Sequence, residues 1–500
     1  MTAMDPDAYL DAPSLDQMVG AFDTLYNDLW SENLEGTFWI SGNVLHSAVN
    51  FILAGHAADA SWLQGKDGRL GAIQTMIVDA YNYHQKTYEG SGYWYDDQTY
   101  WGIALLRIYE NFSTLSGGSE TISNGSVTID AQDCLFASLD SWRYVQKAWN
   151  ARVLEAEDAP VPGGCWNYYN DDYGVVQNTV TNCMYLVLSI RLYQALVGLG
   201  ESSVPQGTVF TDIVAQRALS FACKIFYWLR SWMYLDKSDG EVLINDLSNN
   251  PVKNKDGEPL WLAHDGLFPK PSDSLQAVAA LEQSVLMEGM LQMLGHVDAV
   301  TECFASPELQ TYTMTSSDGV RTAYDNFEAD AKAIVANLDR GARQLIFHNQ
   351  GTDAEPQFVL QDWPFQLLYN HGFGLDESTS KGIFMRYWAV AVPNMPRLLG
   401  AQAGSVEQAQ AYIKQTAAAV WNKGSNGELN PNWANKTGRS GFIDAFKKAW
   451  AVTDVYASTY TEYVSKNQGF VAGGTGMGNF VGQSIGLDAL AAYMYQLKSA

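Results

Sequence analysis

The sequence predicts an all-α chain built from helical hairpins, and three observations carry that expectation. Apolar residues recur at three- and four-residue steps in twelve separate stretches, the period of helices with one buried face. The loops between them are rich in Gly, Asn, Asp and Pro, which form turns. No charge run or low-complexity linker interrupts the 500 residues, so one domain spanning 1–500 is expected. Twelve helices with long loops gathered at some junctions suggest hairpins arranged in a ring, although periodicity alone does not close it.

In chain order the predicted helices cover 15–32, 44–63, 70–88, 97–114, 132–156, 177–199, 210–234, 275–294, 323–347, 381–399, 406–421 and 482–498. The fourth is the clearest, with Trp101, Leu105, Ile108, Tyr109 and Phe112 on one face. Long polar loops are expected at 121–130, 236–271, 306–319 and 424–441. Short β pieces fall in two of them; Ser123 to Asp130 alternates around an Asn124-Gly125 turn.

Composition narrows the partners. A net charge of −25 and a pI near 4.5 argue against nucleic acid, anionic membranes and polyanionic substrates. A neutral ligand such as an uncharged polysaccharide fits, and aromatics at 13% supply flat faces for sugar rings. No window approaches ~18 uninterrupted apolar residues, so no membrane span is expected. The five cysteines are scattered, odd in number and without metal spacing. Most read as buried small apolar residues, with one disulfide left open. The start, Met1-Thr2-Ala3-Met4-Asp5-Pro6, carries no signal peptide. Glycosylation triplets at Asn111, Asn124 and Asn435 permit a secretory route. An extracellular or cell-wall monomer, its leader absent from this chain, is the resulting expectation.

The chemistry points to Tyr93-Trp94-Tyr95-Asp96-Asp97-Gln98-Thr99-Tyr100-Trp101, where two carboxylates stand among five aromatic rings. One aspartate could simply cap the helix that follows; that leaves the other unexplained. Glycosidic bond cleavage with retention uses one ionised carboxylate as nucleophile and one protonated carboxyl as acid/base. Consecutive residues at a helix start diverge by about 100°, enough to reach opposite sides of one bond. The helix N-terminus favours negative charge on the carboxylate facing it, and that charge disfavours ionisation of its neighbour.

Several segments are together similar to glycoside hydrolase family 76, the α-1,6-mannanase family. Tyr95-Asp96-Asp97-Gln98-Thr99-Tyr100-Trp101 resembles its Tyr-Asp-Asp-x-x-Trp-Trp segment, with Tyr100 in place of a Trp. Gly163-Gly164-Cys165-Trp166-Asn167-Tyr168 and the helix beginning Gln177-Asn178, with Asn182, resemble its Gly-Gly-x-x-Trp loop and Lys-Asn-x-x-x-Asn helix. Lys381-Gly382-Ile383-Phe384-Met385-Arg386 and Gln483-Ser484-Ile485-Gly486-Leu487-Asp488-Ala489-Leu490 resemble two later helix starts. The resemblance implies an (α/α)6 barrel, an endo-α-1,6-mannosidase-like activity, Asp96 as nucleophile, Asp97 as acid/base, and no metal or cofactor. The site residues it adds are Trp94, Tyr95, Trp101, Trp166, Tyr168, Asn178, Asn182, Lys381 and Arg386 as substrate-binding. Leu281-Glu282-Gln283-Ser284-Val285 departs from the family's Trp-Thr-Tyr-Asn-Gln-Gly start, and a long insertion precedes it. Another α-linked polysaccharide therefore stays open as substrate. Two alternatives stand beside hydrolysis: a cell-wall transglycosylase using the same site, and a carbohydrate-binding protein without turnover.

Other motifs carry less. Asp171-Asp172 lies in a turn-like context. The seven histidines show no zinc spacing. Gly-rich 469–478 lacks the Gly-Lys-Ser/Thr ending of a phosphate loop and reads as the lead into the last helix.

Overall fold

The computed structural model describes residues 11–64, 68–90, 94–150, 163–170, 174–199, 211–230, 252–253, 259–260, 280–311, 313–315, 321–324, 326–345, 347–349, 356–360, 375–424, 427–429 and 477–497. Twelve long helices lie among them: α1 (Leu15–Thr24), α2 (Phe38–Ala58), α3 (Arg69–Thr87), α4 (Tyr95–Glu110), α5 (Ala131–Asn150), α6 (Thr179–Gly198), α7 (Thr211–Trp228), α8 (Ala280–Gly295), α9 (Phe327–Leu345), α10 (Leu375–Ala391), α11 (Val406–Lys423) and α12 (Met477–Leu497). Each corresponds to one predicted stretch. α2 begins six residues before its expected start, so Ser41, Gly42 and Asn43 lie buried within the helix.

The even-numbered helices close a ring. α2 packs on α4, α4 on α6, α6 on α8, α8 on α10, α10 on α12, and α12 returns to α2. Odd-numbered helices lie outside: α5 against α4, α7 against α6, α9 against α8, α11 against α12. This is an (α/α)6 barrel. Sequence explains the two layers. Inner helices are surrounded by protein, so α2 buries 17 of its 21 residues, whereas α11 alternates exposed Glu407, Gln408 and Lys414 with buried Ala409, Ile413 and Ala417. Close packing of the ring needs residues without side chains. A Cβ on Gly382 of α10 would stand 2.6 Å from the Ile485 Cα of α12.

Caps define several helix starts. Ser14 and Gln17 form a reciprocal capping box at α1, Asn178 caps α6 and Ser405 caps α11. Between α8 and α9 the chain passes through the shorter helix Val297–Phe304, which rests on α7. The strands are all short hairpins on the helical frame. β1 (Thr121–Asn124) and β2 (Val127–Asp130) pair antiparallel, Thr121 opposite Asp130, with Gly125 at φ +61° in the turn. β3 (Trp166–Asn170) pairs with β4 (Gly174–Gln177) ahead of α6. One described helix, Thr179–Gly198, is long and apolar enough to cross a membrane; it is α6, with 78% of its most apolar window buried inside the protein.

Candidate active site

The C-terminal halves of the inner helices meet at one end of the ring. There Asn50 of α2, Arg107 and Glu110 of α4, Arg191 and Gln194 of α6, Glu288 and Gln292 of α8, and Arg386 of α10 line one cavity of about 240 Å³. The first turn of α4, with both aspartates, lies at the opposite end of its helix. Trp94, the residue before the helix, has an extended backbone and is 46% exposed. Asp96 and Asp97 are half-buried. The Asp97 backbone N–H donates to Asp96 Oδ1 at 3.1 Å, and Thr99 Oγ1 donates to the Asp96 carbonyl at 2.6 Å. A carboxylate there meets the unsatisfied N–H groups and positive end of the helix.

Helical spacing separates the two side chains. Asp96 and Arg107 are eleven residues apart, about three full turns, so Asp96 shares the face of α4 that lines the axial cavity. Asp97 is turned about 100° from it. Tyr144 of α5 lies near the same turn: burial first, then Tyr95 and Asp97, raise its hydroxyl above the ordinary value. The Tyr95 and Tyr144 rings meet at 5.6 Å between centroids. Helical spacing thus turns the two carboxylates toward different faces of α4.

A buried relay fixes this turn. Gln98 Nε2 donates to the Tyr88 carbonyl at the end of α3, 2.7 Å away. Its Oε1 accepts from Ser141 Oγ of α5 at 3.3 Å, and Ser141 lies 2.9 Å from His84 Nε2. Burial pushes His84 down to about 3, so the ring is neutral. Gln98, Ser141 and His84 are missing from the sequence-derived site because their contacts cross three helices. The only local hint is a glutamine directly after the acidic pair.

Several expected substrate contacts have other partners. Trp101 is fully buried, its indole N–H donating to the Phe38 carbonyl at 2.7 Å and its ring packed on Phe38, Tyr83 and His84. It is core, because position 101 faces α2 and α3. Tyr100, at the position of the family's Trp, is buried against Trp39 at 5.0 Å. Arg386 lies about 16 Å along α10 from its start and is 5% exposed. Its guanidinium bonds both Asp488 oxygens at 2.8 Å, Ser47 at 2.6 Å and His46 at 2.9 Å. It therefore braces α10, α12 and α2. Asn178 accepts from the Thr181 N–H as helix cap, and Asn182 clamps Cys165 through its N–H (2.7 Å) and carbonyl (3.1 Å). These two amides hold a loop on α6.

That loop reaches the site. Gly163 and Gly164 have φ of +89° and +75°, and a Cβ on Gly164 would lie 2.5 Å from the Trp228 ring. The sharp turn sends β3 against α4. Trp166 itself is 3% exposed, its indole N–H buried and without a hydrogen-bond partner among the described residues. Tyr168 is in β3 and Lys381 is half-buried on α10. Asp171-Asp172, most of 236–271 and most of 469–478 lie outside the described residues, where Met477 and Gly478 already belong to α12. Among the described residues no cluster of three His, Cys, Asp or Glu could hold a metal.

The class the architecture defines is an (α/α)6 barrel with an acidic pair in the first turn of an inner helix. No family model matches the chain, and no curated protein matches it in sequence. Among solved structures it is similar to the GH76A α-1,6-mannanase of Salegentibacter sp. HEL1_6, with 15% identity, TM-score 0.49, and 95% of this chain and 98% of that one covered. An inactive variant of that enzyme with α-1,6-mannotriose gives 15%, 0.47, 95% and 98%. A family 76 glycoside hydrolase from a bovine Bacteroides thetaiotaomicron strain gives 12%, 0.48, 84% and 72%.

Proposed function

We propose that this chain is a retaining glycoside hydrolase acting on a neutral α-linked polysaccharide, with α-1,6-mannan the leading substrate. One observation carries the reading: two consecutive half-buried aspartates occupy the first turn of an inner barrel helix and are turned toward different faces of it. The motif resemblance to family 76 adds the substrate and the order of roles. Asp96, held by the Asp97 N–H at the positive helix end, is the nucleophile that attacks the anomeric carbon. Asp97 protonates the leaving oxygen and then takes a proton from the water that opens the glycosyl ester. Trp94 offers an exposed indole face for a sugar ring, and Lys381 a polar contact. The scheme needs no metal or cofactor. A single catalytic unit, monomeric and acting outside the cell, completes the proposal.

Reducing-sugar release from α-1,6-mannan tests it, with the anomer of the first product read by NMR. Wild type should release retained product, and Asp96→Asn and Asp97→Asn should each lose about a thousandfold or more while binding oligosaccharide and unfolding as wild type does. Wild-type turnover in either variant would reject the assignment. Adding a sugar acceptor separates hydrolysis from glycosyl transfer by the length of the products.

A further inference from the structure

The cavity at the C-terminal ends of the inner helices stands apart from the acidic pair. Arg107 on its wall is eleven residues along α4 from Asp96, about 16 Å at the rise of an α-helix. Its inner lining is buried: His46, Glu288, Arg386 and Tyr387 are each at most 6% exposed. Gln194 and Gln292 are half-buried and Val390 is exposed, so the cavity opens to solvent past them. Tyr387 is the informative residue. Its ring meets His46 edge-on, 6.0 Å between centroids, and its hydroxyl is buried without a hydrogen-bond partner among the described residues. A buried hydroxyl left unpaired is costly, and the cavity that Tyr387 lines is the space from which a partner can reach it.

The surrounding charges decide the kind of partner. Arg386 is engaged by both Asp488 oxygens and Arg191 by both Glu110 oxygens. Arg107 donates to Asn50 at 3.0 Å and to the Tyr495 hydroxyl at 3.2 Å, with Glu110 at 3.7 Å. Three guanidiniums are thus set against three carboxylates, those of Glu110, Glu288 and Asp488, and the carbonyl ends of the inner helices add partial negative charge. That balance leaves no excess positive charge for an anion, while Arg107 and Arg191 repel a cation. The remaining lining groups pair donors with acceptors: the Tyr387 hydroxyl and the amides of Asn50, Gln194 and Gln292, the last two joined at 2.9 Å. Hydroxyls match such groups. The volume of about 240 Å³ lies just under the ~300–1,000 Å³ of small-molecule sites, room for one small ligand and not for a chain. We propose that this cavity binds a neutral polyol of monosaccharide size, its hydroxyls bonded to Tyr387 and to the amides at the rim. The site is separate from Asp96 and Asp97 and does not rest on the chemistry proposed for them.

Thermal unfolding of the full chain with free mannose tests it. Mannose should raise the wild-type Tm by about 1 °C or more beyond its effect on Tyr387→Phe. The comparison cancels whatever the sugar does at Asp96 and Asp97 or as a bulk cosolvent. Tyr387→Phe removes only a hydroxyl without a partner among the described residues, so it should fold as wild type does. Gln194→Ala, on a half-buried side chain at the rim, should lose the same extra shift, and Asp97→Asn should keep it. Crystals grown with mannose should place a sugar within hydrogen-bond distance of the Tyr387 hydroxyl. Equal shifts in wild type, Tyr387→Phe and Gln194→Ala would overturn the proposal. So would a Tyr387-dependent shift with sodium sulfate and none with mannose, or a crystal with sugar beside Asp96 and Asp97 alone. These readings follow binding and not turnover, so they stand whether or not the protein is a glycosidase.

Discussion

The two ends of α4 carry charge in opposite ways. At its end, Arg107 and Glu110 face each other at 3.7 Å, and Glu110 also pairs with Arg191 of α6. Around the same cavity Arg386 is matched by Asp488, and Glu288 accepts from Gln292 at 2.6 Å. Charge there is neutralised by charge or amide, within one helix at Arg107–Glu110 and Glu288–Gln292 and across helices at Arg191–Glu110 and Arg386–Asp488, and the cross-helix pairs tie the ring. At its start, Asp96 is held by a backbone N–H, and the first turn is braced by neutral groups, Gln98, Ser141 and His84. The same ring thus uses ion pairs where it needs closure. At the turn where the proposed chemistry would take place, the groups bracing it among the described residues are neutral.

That contrast can be broken at its strongest point first. Arg386→Met leaves Asp488 buried without its counter-charge, and such losses cost about 3–5 kcal/mol. Denaturant unfolding should show that loss, while the activity of the molecules that remain folded should change little. A wild-type midpoint would mean the ion pair is not what ties α2, α10 and α12. Next comes Gly382→Ala. The new Cβ meets backbone at Ile485, which cannot swing aside, so about 1–3 kcal/mol of overpacking is expected in the same assay.

The neutral brace at the mouth predicts a smaller, pH-dependent effect. His84 is lowered from 6.5 to about 3 by burial, so the unfolded chain binds a proton that the native state excludes. Its contribution is complete above about pH 6.5 and is lost as pH falls toward 3, at up to about 1.4 kcal/mol per pH unit. Unfolding at pH 7 and pH 5 should show a steeper loss for wild type than for His84→Gln. Equal slopes would remove His84 from the brace.

The fold was legible because its signal is local. Twelve helical periods survive in the sequence, and the hairpin at Asn124-Gly125 follows from its turn residues. The acidic pair was legible for the same reason, since aromatic neighbours and a helix start are read within nine residues. Roles set by distant partners were not. Arg386 and Asp488 are 102 residues apart, and Gln98 and Ser141 43. One usable clue was missed: Asp488 is the one charged residue in α12, and an isolated acid in an apolar helix asks for a buried cation. Trp101 shows the limit of a periodic pattern, because a helix in a two-layer ring is apolar toward its neighbours as well as toward its axis.

The most direct measurement is to trap the glycosyl ester. Incubation with an activated fluoro-glycoside that reacts faster than water can release it, followed by peptide mapping, should place one added sugar on Asp96, in wild type but not in Asp96→Asn. A sugar found on any other residue, or an inverted first product with no adduct, would contradict the account.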